Sequence, residues 1–91
     1  MENENRAVVT VLGKDTIGII ARVSAVLFEN AANILDISQT VLSGMFTMVM
    51  IVDISKSSFG ALSQQLTALG DALGLQIRIQ RSEIFDAMHR I

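Results

Sequence analysis

The sequence predicts an α+β fold in the order β-α-β-β-α-β, with four antiparallel strands in one sheet and two helices covering one of its faces. Three observations predict it. Two stretches repeat apolar residues at helical spacing, and four others are β-branched or alternate between apolar and polar residues. The order of these stretches admits one compact sheet, because both β-α-β crossovers take the same hand and the middle pair is a hairpin. Finally, the chain has 91 residues, enough for one domain and too few for two.

Residues 1–6 form a polar N-terminal tail, 7–81 the domain, and 82–91 a C-terminal helical tail. Residues 7–12 (AVVTVL) are nearly all apolar, as a central strand requires. Residues 13–18 (GKDTIG) make a turn. From 19 to 31, Ile19, Ile20, Val23, Val26, Leu27 and Ala31 fall at helical spacing, with Arg22 and Glu29 opposite. Residues 34–42 are extended, Leu35, Ile37 and Val41 alternating with Asp36, Ser38 and Thr40. Ser43-Gly44 signals a hairpin into a strand over 45–54. Ser57 or Ser58 caps a second helix that ends at Gly74, and Phe59, Leu62, Leu66, Leu69 and Leu73 form its apolar stripe. Leu75, Ile77 and Ile79 then alternate with Gln76, Arg78 and Gln80 in a last strand. Over 82–91, Ile84, Phe85 and Met88 fall on one side of a short helix. The whole is the ferredoxin-like split β-α-β arrangement.

Composition excludes several classes of function. With no cysteine and one histidine, His89, neither a thiol nucleophile, a Ser-His-Asp site nor a multi-His metal site is available. A net charge of −2 argues against a phosphate-backbone binder. The first strand has no aromatic residue for stacking bases, and Phe46 in the third lacks the glycine and basic residue of an RNA-recognition run. Asp15, Asp36 and Asp53 lie on three different elements, so paired carboxylates are not expected. The longest apolar run, 48–52, is too short to span a bilayer, and from the polar residues 1–5 no secretion signal is expected. A chain this small buries roughly 64% of its unfolded surface. That narrow margin, with Val49 and Ile51 on the uncovered face of the sheet, predicts self-association.

The GKDTIG turn follows a strand and opens a helix. Free backbone N–H groups around Gly18, Ile19 and Ile20 therefore face whatever sits above it, and the helix dipole favours an anion there. Gly18 permits close approach to the backbone, and Lys14 is the loop's one cation. Ile19-Ile20 stands where a nucleotide-phosphate loop carries lysine and a hydroxyl residue, so a small carboxylate suits the turn better. The same residues also read as a tight turn in which Asp15 or Thr16 caps the helix.

Gly13-Lys14-Asp15, the run Gly18-Ile19-Ile20-Ala21-Arg22-Val23-Ser24 and the run Asn33-Ile34-Leu35-Asp36-Ile37-Ser38-Gln39-Thr40 resemble the ACT domain. This is the amino-acid-sensing module attached to many metabolic enzymes and present in glycine-cleavage repressors. The likeness runs from about residue 7 to residue 80. It is greatest to the small stand-alone ACT proteins of bacteria and archaea, and it extends into the tail. The resemblance implies a ligand between two domains, against the first loop and the start of the second strand. Carried onto this chain, the candidate ligand-binding residues are Lys14, Asp15, Gly18, Ile19, Asn33 and Ile34. Asp15 and Asn33 would hold polar groups, while Gly18 and Ile19 give backbone contacts. Asp15 departs from the asparagine of serine-sensing members, and Ile17 replaces the proline common before the glycine. Asn33 also reads as the cap of a bend.

The expected function is thus a non-catalytic regulatory module that senses an amino acid or related metabolite at a subunit interface. Its expected setting is a cytoplasmic homodimer, with a regulated protein as a further partner and with no cofactor, metal, nucleic acid or membrane. The alternative is a structural oligomerisation or adaptor protein with a vestigial ligand site.

Overall fold

The computed structural model describes residues 5–14 and 17–82. It contains β1 (Arg6–Lys14), α1 (Ile19–Glu29), β2 (Asn33–Leu42), β3 (Met45–Asp53), α2 (Phe59–Leu73) and β4 (Gln76–Arg81), in the expected order. The sheet runs β2-β3-β1-β4 and every neighbouring pair is antiparallel. Each helix therefore returns the chain to a parallel strand two places away, as the ferredoxin-like arrangement requires. Among the described residues no helix is long and apolar enough to cross a membrane. The short helix expected over 82–91 lies outside the described residues from Glu83 onward.

The central strands are the most apolar. Alternate residues Ala7, Val9 and Val11 of β1, and Phe46, Met48, Met50 and Val52 of β3, are buried on the helix side. Onto them α1 lays Ile19, Val23 and Leu27 at steps of four, and α2 lays Leu62, Leu66 and Gly70 likewise. Each large apolar side chain buried this way contributes roughly 1.5–3 kcal/mol. On the opposite face Val49 and Ile51 are half-buried rather than exposed, and Val8 beside them is buried. The exposed apolar residues concentrate instead on β2, on α1 and at the hairpin between β2 and β3.

Several boundaries differ from the expected ones. β1 continues through Gly13 and Lys14, because the tight turn at Ser43-Gly44 starts β3 early enough for Phe46 and Met45 to pair with them. α1 ends at Glu29, short of Ala31. Ala31 takes a left-handed conformation (φ 61°), its N–H donates to the Phe28 carbonyl, and the Ala32 N–H donates to the Leu27 carbonyl. Those two bonds make a Schellman ending, with alanine where glycine usually stands. A bulge between Ile34 and Asp36 leaves Leu35 without a β3 partner. It brings Ile34 and Ile37, three residues apart, onto the helix side opposite Val52 and Met50.

Ser58 rather than Ser57 caps α2, its hydroxyl accepting from the Ala61 N–H at 3.3 Å, and Gly74 closes the helix with φ 72°. Gly70 is where α2 meets the start of β4: a Cβ there would lie 2.8 Å from the Leu75 carbonyl oxygen and 3.2 Å from Ile77. Gly70→Ala is expected to lower stability by roughly 1–3 kcal/mol, because the obstacle is backbone and cannot rotate away. Ala31→Gly should raise it by about 0.5–1 kcal/mol, the relief of left-handed strain less the entropy of glycine in the unfolded chain. Urea denaturation of the two variants beside the parent measures both.

Candidate functional site

The structure separates the expected site residues into two groups. Lys14 ends β1 opposite Met45, whereas Asn33 begins β2 opposite Asp53. Met45 and Asp53 are the two ends of β3, so the groups lie roughly 26 Å apart along the sheet. α1 spans the gap, with Gly18 at one end and Asn30 at the other. Lys14, Gly18 and Ile19 therefore cannot contact a small ligand that Asn33 and Ile34 of the same chain also hold. Asp15 lies outside the described residues.

At the loop end, Gly18 has φ 85° and its carbonyl accepts from the Arg22 N–H at 2.9 Å, starting α1. None of the described side chains caps this terminus, and its first turn carries no acidic residue. The N–H groups of the first turn have no partner within the helix. A Cβ placed on Gly18 would meet nothing within 4 Å, so there is space above the backbone. Ile17 beside it is fully exposed (100%), and Ile19 is buried beneath. Among the described residues this end offers backbone donors over an apolar floor, a surface suited to a carboxylate with an apolar substituent.

At the opposite end Asn33 lines a cleft of about 330 Å³ with Ala31, Asp53, Ser55 and Lys56. The Asp53 carboxylate accepts the Ser55 N–H at 2.8 Å. That bond, then the Ser55 hydroxyl, and more weakly the charges of Arg6 and Lys56, hold the Asp53 carboxyl below its ordinary value. The cleft thus pairs a firmly ionised carboxylate with a lysine and an amide. Asp53, Ser55 and Lys56 were not expected here. The Asp-x-Ser spacing signals the local turn, but only the β2–β3 register brings it beside Asn33. Asp36 is engaged separately: it pairs with Ile51 further along β2, and one of its oxygens accepts the Ile37 N–H at 2.9 Å. Among the described residues no group of acidic, histidine or cysteine side chains is placed to hold a metal ion.

Between the two ends runs β2, an edge strand exposed along all ten residues. It carries Ile34, Leu35, Ile37, Val41 and Leu42, and Phe28 of α1 is 82% exposed. A long, apolar, unpaired edge is a template for another strand.

Residues 5–80 match the family model of the ACT domain. A UPF0237 protein of Bifidobacterium longum is 53% identical over 89 residues, covering 96% of this chain and 99% of that one. Another from Methanocaldococcus jannaschii is 51% identical over 89 residues, with the same coverage of both chains. Among solved structures, an ACT domain protein from Streptococcus pneumoniae superposes with a TM-score of 0.78 at 44% identity, over 89% of this chain and 93% of that one.

The Asp53 carboxyl is expected to titrate below the ordinary 3.8. A group whose folded value is depressed stabilises fully above its unfolded value, and that contribution fades as pH falls through the folded one. Side-chain NMR titration should show the low value, and Asp53→Asn should remove this group's share of the acid destabilisation.

Proposed function

The chain belongs to the ACT domain family, and on that premise we propose that it senses an amino acid or a related small carboxylate between two copies of itself. Homologous ACT domains are regulatory ligand-binding domains. The observation that carries the reading is the exposed β2 edge between two half-sites that one chain cannot bring together. Antiparallel pairing of β2 with the same strand of a second copy sets the Asn33 end of one chain beside the Leu42 end of the other. There it approaches the partner's Gly18 turn. A two-fold arrangement does this twice, completing two equivalent sites.

In each site the ligand carboxylate lies on the backbone N–H groups around Gly18 and Ile19, with Lys14 nearby. Asn33, Ile34 and the Asp53–Lys56 turn of the other chain supply the remaining polar contacts, and the Asp53 carboxylate suits an ammonium group. Chemistry on the ligand has no evident agent, so the module acts by reporting occupancy to a regulated protein. We place it in the cytoplasm, in keeping with its lack of cysteine.

Three measurements test the reading. Sedimentation should show a dimer, and the double variant Ile37→Lys, Val41→Lys should give folded monomers, because charge on the edge opposes pairing. A thermal-shift panel of the twenty amino acids should single out a ligand that stabilises by ~2.7 kcal/mol at about 100 times its dissociation constant. Calorimetry with that ligand should show a ten- to hundredfold loss for Asn33→Ala, the worth of about 1.5–3 kcal/mol for a hydrogen bond to a charged group. The monomeric variant should lose binding altogether. A dimer that no amino acid stabilises would mean a scaffold instead.

A further inference from the structure

The cleft at the Asn33 end forms where two links of the chain meet. Ala31 and Asn33 lead from α1 into β2, and Asp53, Ser55 and Lys56 lead from β3 towards α2. Asn33 stands opposite Asp53 in the β2–β3 ladder, so amide and carboxylate share one face of the sheet. Of the described residues that line the cleft, Ala31 alone is apolar. Asp53 is fixed by its bond from the Ser55 N–H. Lys56 is the last and weakest of the groups that favour its ionised form, behind Ser55 and Arg6, so the lysine is not closely bound to it.

We propose that the sensed amino acid carries a second carboxylate, on its side chain, and that Lys56 and Asn33 receive it. The inference rests on the reading above, in which the α-carboxylate lies on the other chain's backbone N–H groups and the ammonium on Asp53. With those two charges placed, the Lys56 ammonium has no counterpart on the part that all amino acids share. An apolar side chain entering the cleft displaces water from Lys56 and the Asn33 amide and returns no hydrogen bond, and a polar site rejects ligands on that ground. A carboxamide offers one accepting oxygen and turns an NH2 group towards a cation. A carboxylate accepts with both oxygens, supplies the opposite charge and makes the stronger, charge-assisted bonds. The apolar floor at Ile19 suits the carbon stem, which a dicarboxylic amino acid also has.

Calorimetry on the dimer with L-aspartate, L-glutamate, their amides L-asparagine and L-glutamine, and L-leucine tests the proposal. One of the acids should bind most tightly, about tenfold to hundredfold above its own amide, the worth of a hydrogen bond to a charged group. Lys56→Gln should abolish that preference by weakening the acid while leaving the amide's affinity unchanged, and Lys56→Arg should keep it. Sedimentation should find both variants dimeric. Tightest binding of L-leucine or of an amide would overturn the proposal. So would a Lys56→Gln variant that loses acid and amide alike, because the lysine would then hold the α-carboxylate. Either result leaves the sensing of amino acids standing. Absence of binding by any amino acid removes both.

Discussion

The ladder between β1 and β3 governs the rest of the molecule. Its pairing is unbroken from Arg6 opposite Asp53 to Lys14 opposite Met45, and it carries the inner row of the core on alternate residues. Because the two strands are antiparallel and matched in length, the loop that leaves β1 and the turn that leaves β3 emerge at opposite ends of the sheet. Each helix must then travel the length of the ladder to reach its next strand. The outer strands have no choice of side, since each returns parallel to the central strand it came from.

That geometry gives the two ends different chemistry. The end at Gly18 presents backbone donors and space, with the partial positive charge of a helix start. The end at Asn33 presents formal charges of both signs, with Asp53 anchored by its own turn. An amino acid has matching halves, a carboxylate on one side of its α-carbon and an ammonium on the other. The Gly18 end complements the carboxylate alone, whereas the Asn33 end carries Asp53 and Lys56, one charge for each half.

Much of this was legible in the residues. The stripe from Phe59 to Leu73 gave α2 directly, since a period of three and four over fifteen residues has no competing reading. The order of elements gave the sheet, because few topologies satisfy two right-handed crossovers and a hairpin. What escaped was non-local. The extension of β1 depends on where β3 begins, and the bulge at Leu35 depends on which of Ile34 and Ile37 must face Val52 and Met50. The left-handed Ala31 escaped because alanine gives no sign of that conformation, as glycine at Gly74 does. The cleft beside Asn33 escaped for the same reason as the bulge: Asp53 and Lys56 are twenty or more residues from it in the chain. The loop residues Lys14, Gly18 and Ile19 were found by their place between a strand and a helix, a local signal.

The two borders of the sheet are unequal, and this bears on how many copies can join. The β2 border is ten residues long with five apolar side chains, while the β4 border is six residues long and sets Ile77 and Ile79 among two glutamines and the cations Arg78 and Arg81. Arg81 is turned against the Phe59 ring, 4.6 Å from its centre, which keeps a guanidinium at the strand's end. The bulge at Leu35 also interrupts the hydrogen-bonding rhythm of the long border, so a neighbour finds an unbroken run only beyond it. In the proposed pair, a sheet joined by its β2 borders becomes eight strands wide and leaves only the shorter, arginine-bearing β4 borders at its ends, which opposes growth beyond two copies.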